Sequence, residues 1–246
     1  YDMLSRMKAK LDAGRSILYQ TARYVDIYKA LDDIARDRKL TAEERQEQKK
    51  YARLADAFTP LAKGMNSEYA NQNAYDAIQV HGGSGFIMEY KSQRLYRDAR
   101  IFSIYEGTTQ LQVVAAIRYI TNGTYMGMIK DMLEHEVADS LKALKVRVAL
   151  MAEKLEDAVN AVKEAGNQEM QDFVARRLYE MTADTIMSLL ILDDATRSQE
   201  LFEKSANVYV RYAEAEVNAH HAFIKSLRPE DLEYYRQAEK EAEAAE

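Results

Sequence analysis

YDMLSRMKAKLDAGRSIL, residues 1–18, decides the fold class of the chain. Within it Tyr1, Leu4, Met7 and Leu11 recur at intervals of three or four, which places apolar side chains on one face of an α-helix. Similar spacing continues outward through a chain of 246 residues that contains only two prolines and nine glycines. Because so few residues would interrupt a helix, we predict an all-α protein with little room for strands.

A few residues mark where the predicted helices begin and end. Thr41 and Glu44 have the spacing of a capping box, so the second helix should begin there. Pro60 suits a first helical turn, and we therefore expect that helix to end before Pro60 and another to run from it to Val80. The glycine-rich run that follows predicts that residues 81–107 are mostly loop with one short helix.

The pair Asn122 and Gly123 is a strong helix stop, and we place a domain boundary beside it. Residues 1–121 are predicted to form an antiparallel helical bundle domain. Residues 122–246 are predicted to form a second helical bundle, which would open with one long helix over residues 128–164.

Composition excludes several classes of function. The chain has 34 basic and 40 acidic residues and a formal net charge of -6, so it lacks the basic surface that nucleic acid requires. It has no cysteine, which excludes disulfides and thiol catalysis, and its four histidines leave little for a metal site. These histidines are His81, His135, His220 and His221.

The distribution of apolar residues indicates where in the cell the protein is located. No apolar run approaches the roughly 20 residues that cross a bilayer, and no signal peptide opens the chain, so we expect a cytoplasmic protein. Helical spacing already at Tyr1, without an initiator methionine, suggests that the chain begins inside a larger protein. Its polar tail, residues 239–246, is expected to be solvated or frayed.

Two short segments are candidates for chemistry, and each has two interpretations. Gly82, Gly83 and Gly85 follow a helix and are either a helix stop or a place where backbone approaches a ligand. Glu106 precedes the helix that opens at Thr108. Its carboxylate either interacts with the positive end of that helix or enters a cavity as a general base.

Taken together, the two segments belong to a longer ordered pattern. It consists of QVHGGSGF (79–86), EY (89–90), RDAR (97–100) and IYEGTTQLQ (104–112). This pattern resembles the C-terminal signature of the acyl-CoA dehydrogenases, and the resemblance covers about the first half of the chain. The second half is more weakly similar to the extra C-terminal helical domain of larger bacterial members.

The resemblance implies an FAD-dependent enzyme that desaturates an acyl-CoA thioester between the α and β carbons. Glu106 would be the base that removes the α-proton, and Tyr105 and Gly107 would contact the substrate. FAD would be bound by two groups of residues, one of which would meet a flavin held mainly by a neighbouring subunit. The group that would meet the neighbouring subunit's flavin is Gln79, Val80, His81, Gly82 and Gly83. The group that would meet the flavin of the same subunit is Thr108, Thr109 and Gln110.

The resemblance also implies partners. These are an acyl-CoA substrate, an electron-transfer flavoprotein and further copies of the chain in a dimer or tetramer. The fragment alone is expected to be inactive. An acyl-CoA oxidase, which shares the fold and the glutamate, stays an alternative, as does a non-catalytic helical interaction module in which Glu106 only stabilises a helix end. The acyl chain length is left open.

Overall fold

The computed structural model describes residues 1–236, and the predicted frayed tail at residues 239–246 lies outside them. All regular structure in these residues is helical, which confirms the predicted fold class. Three short 3-10 turns, Arg100–Ser103, Asp139–Leu141 and Pro229–Asp231, separate or follow the α-helices. The α-helices are α1 (Asp2–Asp37), α2 (Ala42–His81), α3 (Gly83–Phe86), α4 (Ser92–Ala99), α5 (Thr109–Thr121), α6 (Thr124–Leu133), α7 (Lys142–Ala165), α8 (Gln168–Arg197) and α9 (Gln199–Ser226).

Local signals placed several helix ends correctly. The amide of Glu44 donates to Thr41 Oγ1 over 3.2 Å, and the amide of Thr41 donates to Glu44 Oε2 over 2.8 Å, so the capping box is confirmed. Helix α5 ends at Asn122 and Gly123 as predicted. Residues 81–107 are more helical than predicted, because α3, α4 and a 3-10 turn occupy much of the segment.

Helix α2 continues through Pro60, so the predicted helix boundary at that residue is wrong. A proline cannot donate a backbone hydrogen bond, and its ring disturbs the preceding turn. Two buried tyrosines from the second half of the chain stabilise this turn. Tyr125 Oη donates to the carbonyl of Ala57 over 2.5 Å, and Tyr179 Oη donates to that of Pro60 over 2.9 Å. The helix thus continues with two tyrosines packed against the turn that contains the proline.

The single helix predicted over residues 128–164 is also wrong, because α6 and α7 are separate. Side chains from other elements hold the backbone between them. The amide of Ala138 donates to Thr196 Oγ1 over 3.3 Å, and Lys145 Nζ donates to the carbonyl of His135 over 2.7 Å. Tertiary contacts therefore outweigh the helical propensity of this stretch.

One apolar core extends across both halves of the chain. It includes Ile17 of α1, Phe58 of α2, Ile186 of α8 and Val210 of α9, all completely buried. Gly64 brings α2 against α8, since a Cβ at this position would overlap the hydroxyl of a buried tyrosine on α8. The domain boundary between residues 121 and 122 stays a proposal, and the two parts that it separates pack on a shared core.

A buried polar cluster joins three of these helices. The Oη atoms of Tyr69 on α2 and Tyr209 on α9 lie 2.8 Å apart, and they lie 3.1 and 3.0 Å from Asp184 Oδ1 on α8. The three oxygen–oxygen contacts of this cluster require three hydrogen-bonding protons. The two tyrosine hydroxyls supply two of them, and a protonated carboxyl of Asp184 supplies the third. Consistently, burial raises the pKa of Asp184 to about 7, and the tyrosine hydrogen bonds offset this only in part.

None of the helices in residues 1–236 combines the length and the apolar content that a membrane crossing requires. The same residues contain no group of three or more potential metal ligands arranged around a common point.

Candidate active site

The backbone around Glu106 is unusual. Its φ is +51°, and no other non-glycine residue between residues 1 and 236 has a positive φ. Gly107, which follows, has a φ of +89°. A side chain in this region of φ costs about 1–2 kcal/mol, so surrounding contacts must hold the loop in this shape.

Lys63 of α2 provides those contacts. Its Nζ donates to the carbonyl of Gly107 over 2.5 Å and to that of Phe102 over 3.0 Å, and it lies 5.7 Å from the ring centroid of Tyr105. Gln112 of α5 also donates to the carbonyl of Gly107, over 3.3 Å. A Cβ on Gly107 would lie 2.9 Å from the Gln112 amide nitrogen, so the glycine permits this close approach. The loop is fixed from two helices.

The side chain of Glu106 borders a cleft of about 400 Å³ between α1, α2 and the loop, which we call the glutamate cleft. Leu18, Ala62, Phe102 and Tyr105 form much of its apolar wall. Glu106 is exposed to solvent as the chain stands. A ligand that filled an apolar cleft would remove water from a carboxylate at its edge, which makes the carboxylate a stronger base.

Helix α5 begins two residues after Gly107, with Thr108 as its N-cap. The Thr108 hydroxyl accepts from the amide of Leu111 over 3.3 Å, as expected of a helix N-cap. The next two amides, of Thr109 and Gln110, have no backbone hydrogen bond within residues 1–236. Free amides and the positive end of the helix dipole favour an anion or a polar acceptor at this point.

These amides lie beside a second, larger cleft of about 830 Å³, which we call the α5 cleft. Arg6, Lys10, Arg100 and Arg176 bring positive charge to it, and three carboxylates partly balance them. Burial lowers the pKa of Lys10, and the nearby positive charge of Arg6 lowers it further. The cleft therefore has a small excess of positive charge, when Lys10 is protonated, beside the free amides of α5.

The other predicted cofactor residues lie at the exposed end of α2. His81 Nδ1 lies 2.8 Å from the carbonyl of Ala77, and Gly82 has a φ of +61°. The chain then folds back, since Ser92 Oγ donates to the carbonyl of Gly85 over 2.9 Å. None of residues 79–83 lines the glutamate cleft or the α5 cleft. The structure brings residues 105–110 together and leaves residues 79–83 apart from them.

The residues that support the site carry no local sequence signal. Lys63, Glu68 and Arg176 hold the loop and the start of α5, yet each lies more than 30 positions from it. No local motif marks them, and in the sequence they resemble other charged positions on solvated helix faces.

Two family models match the chain, and both describe parts of one enzyme family. The model described as "Acyl-CoA dehydrogenase, C-terminal domain" matches residues 2–120, and "Acyl-CoA dehydrogenase C terminal" matches residues 121–232. An acyl-CoA dehydrogenase from Bacillus anthracis, solved in complex with FAD, is 21% identical with a TM-score of 0.67. The match covers 91% of this chain and 41% of that one, and it shows a shared fold.

Two curated proteins are more similar in sequence over a shorter length. The caffeyl-CoA reductase-Etf complex subunit CarC from Acetobacterium woodii is 36% identical over 110 residues, which are 45% of this chain and 23% of that protein. The 3-methylmercaptopropionyl-CoA dehydrogenase from Ruegeria pomeroyi is 38% identical over 110 residues, or 45% of this chain and 17% of that protein. The matched part thus spans less than a quarter of the length of either relative.

Proposed function

Because the chain belongs to the acyl-CoA dehydrogenase family, we propose that it is the C-terminal helical part of an FAD-dependent enzyme that desaturates an acyl-CoA thioester between the α and β carbons. The observation that carries this proposal is the geometry of Glu106. Its backbone is held at a positive φ at the edge of an apolar cleft, three residues before the first free amide of α5. Strain that the structure maintains at one residue favours a functional role for that residue.

In the proposed reaction Glu106 takes a proton from the α carbon. The electrons of that C–H bond form the new double bond, and a hydride leaves the β carbon. Bound FAD would supply the acceptor for this hydride. Tyr105 and Gly107 would contact the thioester, and the carbonyl of Gly107 is already fixed by Lys63 and Gln112. A substrate that displaced water from the glutamate cleft would strengthen the base.

The chain offers a suitable place for part of FAD. The amides of Thr109 and Gln110 are free, and the α5 cleft is large and carries four cationic side chains. The Thr109 hydroxyl is engaged by Glu68 over 2.6 Å, so we assign the contact of Thr109 to its backbone. Gln79, Val80, His81, Gly82 and Gly83 would meet an FAD held by a neighbouring subunit, which agrees with their exposure away from both clefts.

We further propose that the chain assembles with copies of itself and passes electrons to an electron-transfer flavoprotein. Large apolar side chains are exposed around the loop, including Ile101, Ile104, Leu111 and Val114, each at least 44% exposed. Exposed apolar side chains that form a patch are typical of a contact with another protein surface. The flavoprotein partner is suggested by the name of the Acetobacterium woodii relative.

The substitution Glu106→Gln tests the base assignment in the full-length protein. The variant should keep FAD and acyl-CoA binding and lose α-proton exchange with D₂O and dye reduction by about 100-fold or more. Glu153→Gln, at an exposed glutamate on α7, is the matched control and should keep both activities. Proton exchange at the wild-type rate in Glu106→Gln would refute the assignment and would favour the non-catalytic interaction module.

The same assay separates the related enzymes. A dehydrogenase reduces dye and releases little peroxide, whereas brisk peroxide release with oxygen would identify an oxidase.

Reduction of an α,β-unsaturated thioester is a second candidate function, because a relative that is 36% identical is named a caffeyl-CoA reductase subunit. In that direction Glu106 would donate the proton to the α carbon. Incubation with saturated and unsaturated thioesters in parallel would show which direction the protein favours.

A further inference from the structure

A series of polar contacts connects the start of α5 with the second half of the chain. Thr109 Oγ1 donates to Glu68 Oε1 over 2.6 Å, and the other carboxylate oxygen of Glu68 lies 3.8 Å from a guanidinium nitrogen of Arg176. Arg176 Nε donates to Glu180 Oε1 over 2.9 Å. Glu180 Oε2 in turn lies 3.0 Å from His220 Nε2. The contacts therefore pass from α5 through α2 and α8 to α9.

These side chains are shielded from solvent to different degrees. Thr109 is buried at 5% exposure, and the side chains of Glu68, Glu180 and His220 are 25, 24 and 20% exposed. Arg176 is the most open, at 46%. Ion pairs in partly buried positions are screened less by salt than pairs at the surface. The contacts can therefore hold Glu68 in one orientation.

The ionisation of Glu180 agrees with this arrangement. Burial alone would raise the pKa of its carboxyl, but hydrogen bonds from His220 and Arg176 outweigh burial and lower it. Glu180 is thus a carboxylate at neutral pH and holds the guanidinium of Arg176 between itself and Glu68.

We propose that Arg176 and Glu180 are positioning residues for the cofactor segment. They fix the Glu68 carboxylate, Glu68 fixes the Thr109 hydroxyl, and the first turn of α5 is thereby held with its free amides facing the α5 cleft. This gives the second half of the chain a role in the site, since α8 lies entirely within it. The identity of the ligand at these amides rests on the proposed function, whereas the positioning of α5 is a property of the chain itself.

The consequence can be measured without any ligand. The amides of Leu111 and Gln112 bond to the hydroxyl and carbonyl of Thr108, so they report whether the first turn of α5 is closed. We would follow their hydrogen exchange by NMR in the full-length protein and compare it with that of Tyr119 and Ile120 at the other end of α5. A change confined to the first turn distinguishes local loosening from global destabilisation.

Three substitutions complete the experiment. Arg176→Met should accelerate exchange at Leu111 and Gln112 about tenfold, and Arg176→Lys should restore much of the protection because it keeps a cation near Glu68. The control is Arg177→Met, on the same helix, where the guanidinium stacks on Phe223 instead of meeting Glu68. It should leave the first turn unchanged.

Two results would overturn the proposal. One is unchanged exchange at Leu111 and Gln112 in Arg176→Met, and the other is equal acceleration at both ends of α5. A parallel titration with FAD, followed by its visible absorption, tests the proposed function separately. Weaker binding in Arg176→Met, with rescue by lysine, would support the proposed function alone, because Arg176 also brings charge to the α5 cleft, and the exchange result decides the positioning. If the wild-type protein binds no FAD, the proposed function fails while the exchange result still decides the positioning.

Discussion

The buried carboxyl of Asp184 makes a quantitative prediction about stability and pH. Its pKa is raised from 3.8 to about 7 in the folded chain, because the group is buried. Between these values the folded chain keeps a proton that the unfolded chain has lost. The free energy of unfolding contributed by this group therefore falls as the pH rises, by about 1.4 kcal/mol for each pH unit. Over the whole interval the loss approaches about 4 kcal/mol.

The substitution Asp184→Asn isolates this effect. Asparagine keeps the shape of the protonated side chain and can bond to Tyr69 and Tyr209, but it does not titrate. The free energy of unfolding of the variant minus that of the wild type should rise by about 4 kcal/mol from pH 4 to pH 7 and stay constant above. All other titrating groups are common to both proteins and cancel in the difference.

Urea denaturation followed by circular dichroism at half-unit pH intervals would measure this difference. Thr185→Val, at a completely buried neighbour on α8, is the control. It removes a hydroxyl and no titrating group, so its difference from the wild type should not depend on pH. A flat or falling difference for Asp184→Asn between pH 4 and pH 7 would contradict a buried carboxyl that is protonated in the folded chain.

Three further substitutions test individual contacts by urea denaturation. Thr41→Ala removes the capping box with Glu44 and should lower the free energy of unfolding by about 1 kcal/mol, whereas Thr41→Ser should keep most of it. Tyr179→Phe removes the phenolic donor to the buried carbonyl of Pro60 and should cost about 1 kcal/mol, so a wild-type midpoint would argue against that hydrogen bond. Gly107→Ala forces a side chain to a φ of +89° and should cost about 1–2 kcal/mol; an unchanged stability would show that the loop relaxes easily.

The features predicted correctly from the sequence depend on neighbours in the chain. The capping box at Thr41 and the stop at Asn122 are set by bonds within four positions, and so is the N-cap at Thr108. The residues of the candidate site are also local, and their roles stay a prediction. Residues 105–110 are adjacent in the sequence, and the structure keeps them together at the meeting of two clefts.

The features that were missed depend on distant residues. The turn of α2 at Pro60 is bonded by tyrosines more than 60 positions away, and the backbone before α7 is bonded by Thr196. Lys63 holds the Glu106 loop from a helix whose local pattern suggests only a solvated face. No spacing rule connects such pairs, because the contact exists only after the helices have packed. The assignment of residues 79–83 to a neighbouring subunit stays a prediction.

The hydroxyls of Tyr125 and Tyr179, which complete the turn of α2 around Pro60, limit how the chain can be recombined with its relatives. A chimera that took residues 1–121 from this chain and the remainder from another relative would need phenolic donors at the same two places. Without them, the carbonyls of Ala57 and Pro60 would lose the phenolic donors that meet them here. Exchange of the second half should therefore succeed best when the donor sequence carries both tyrosines.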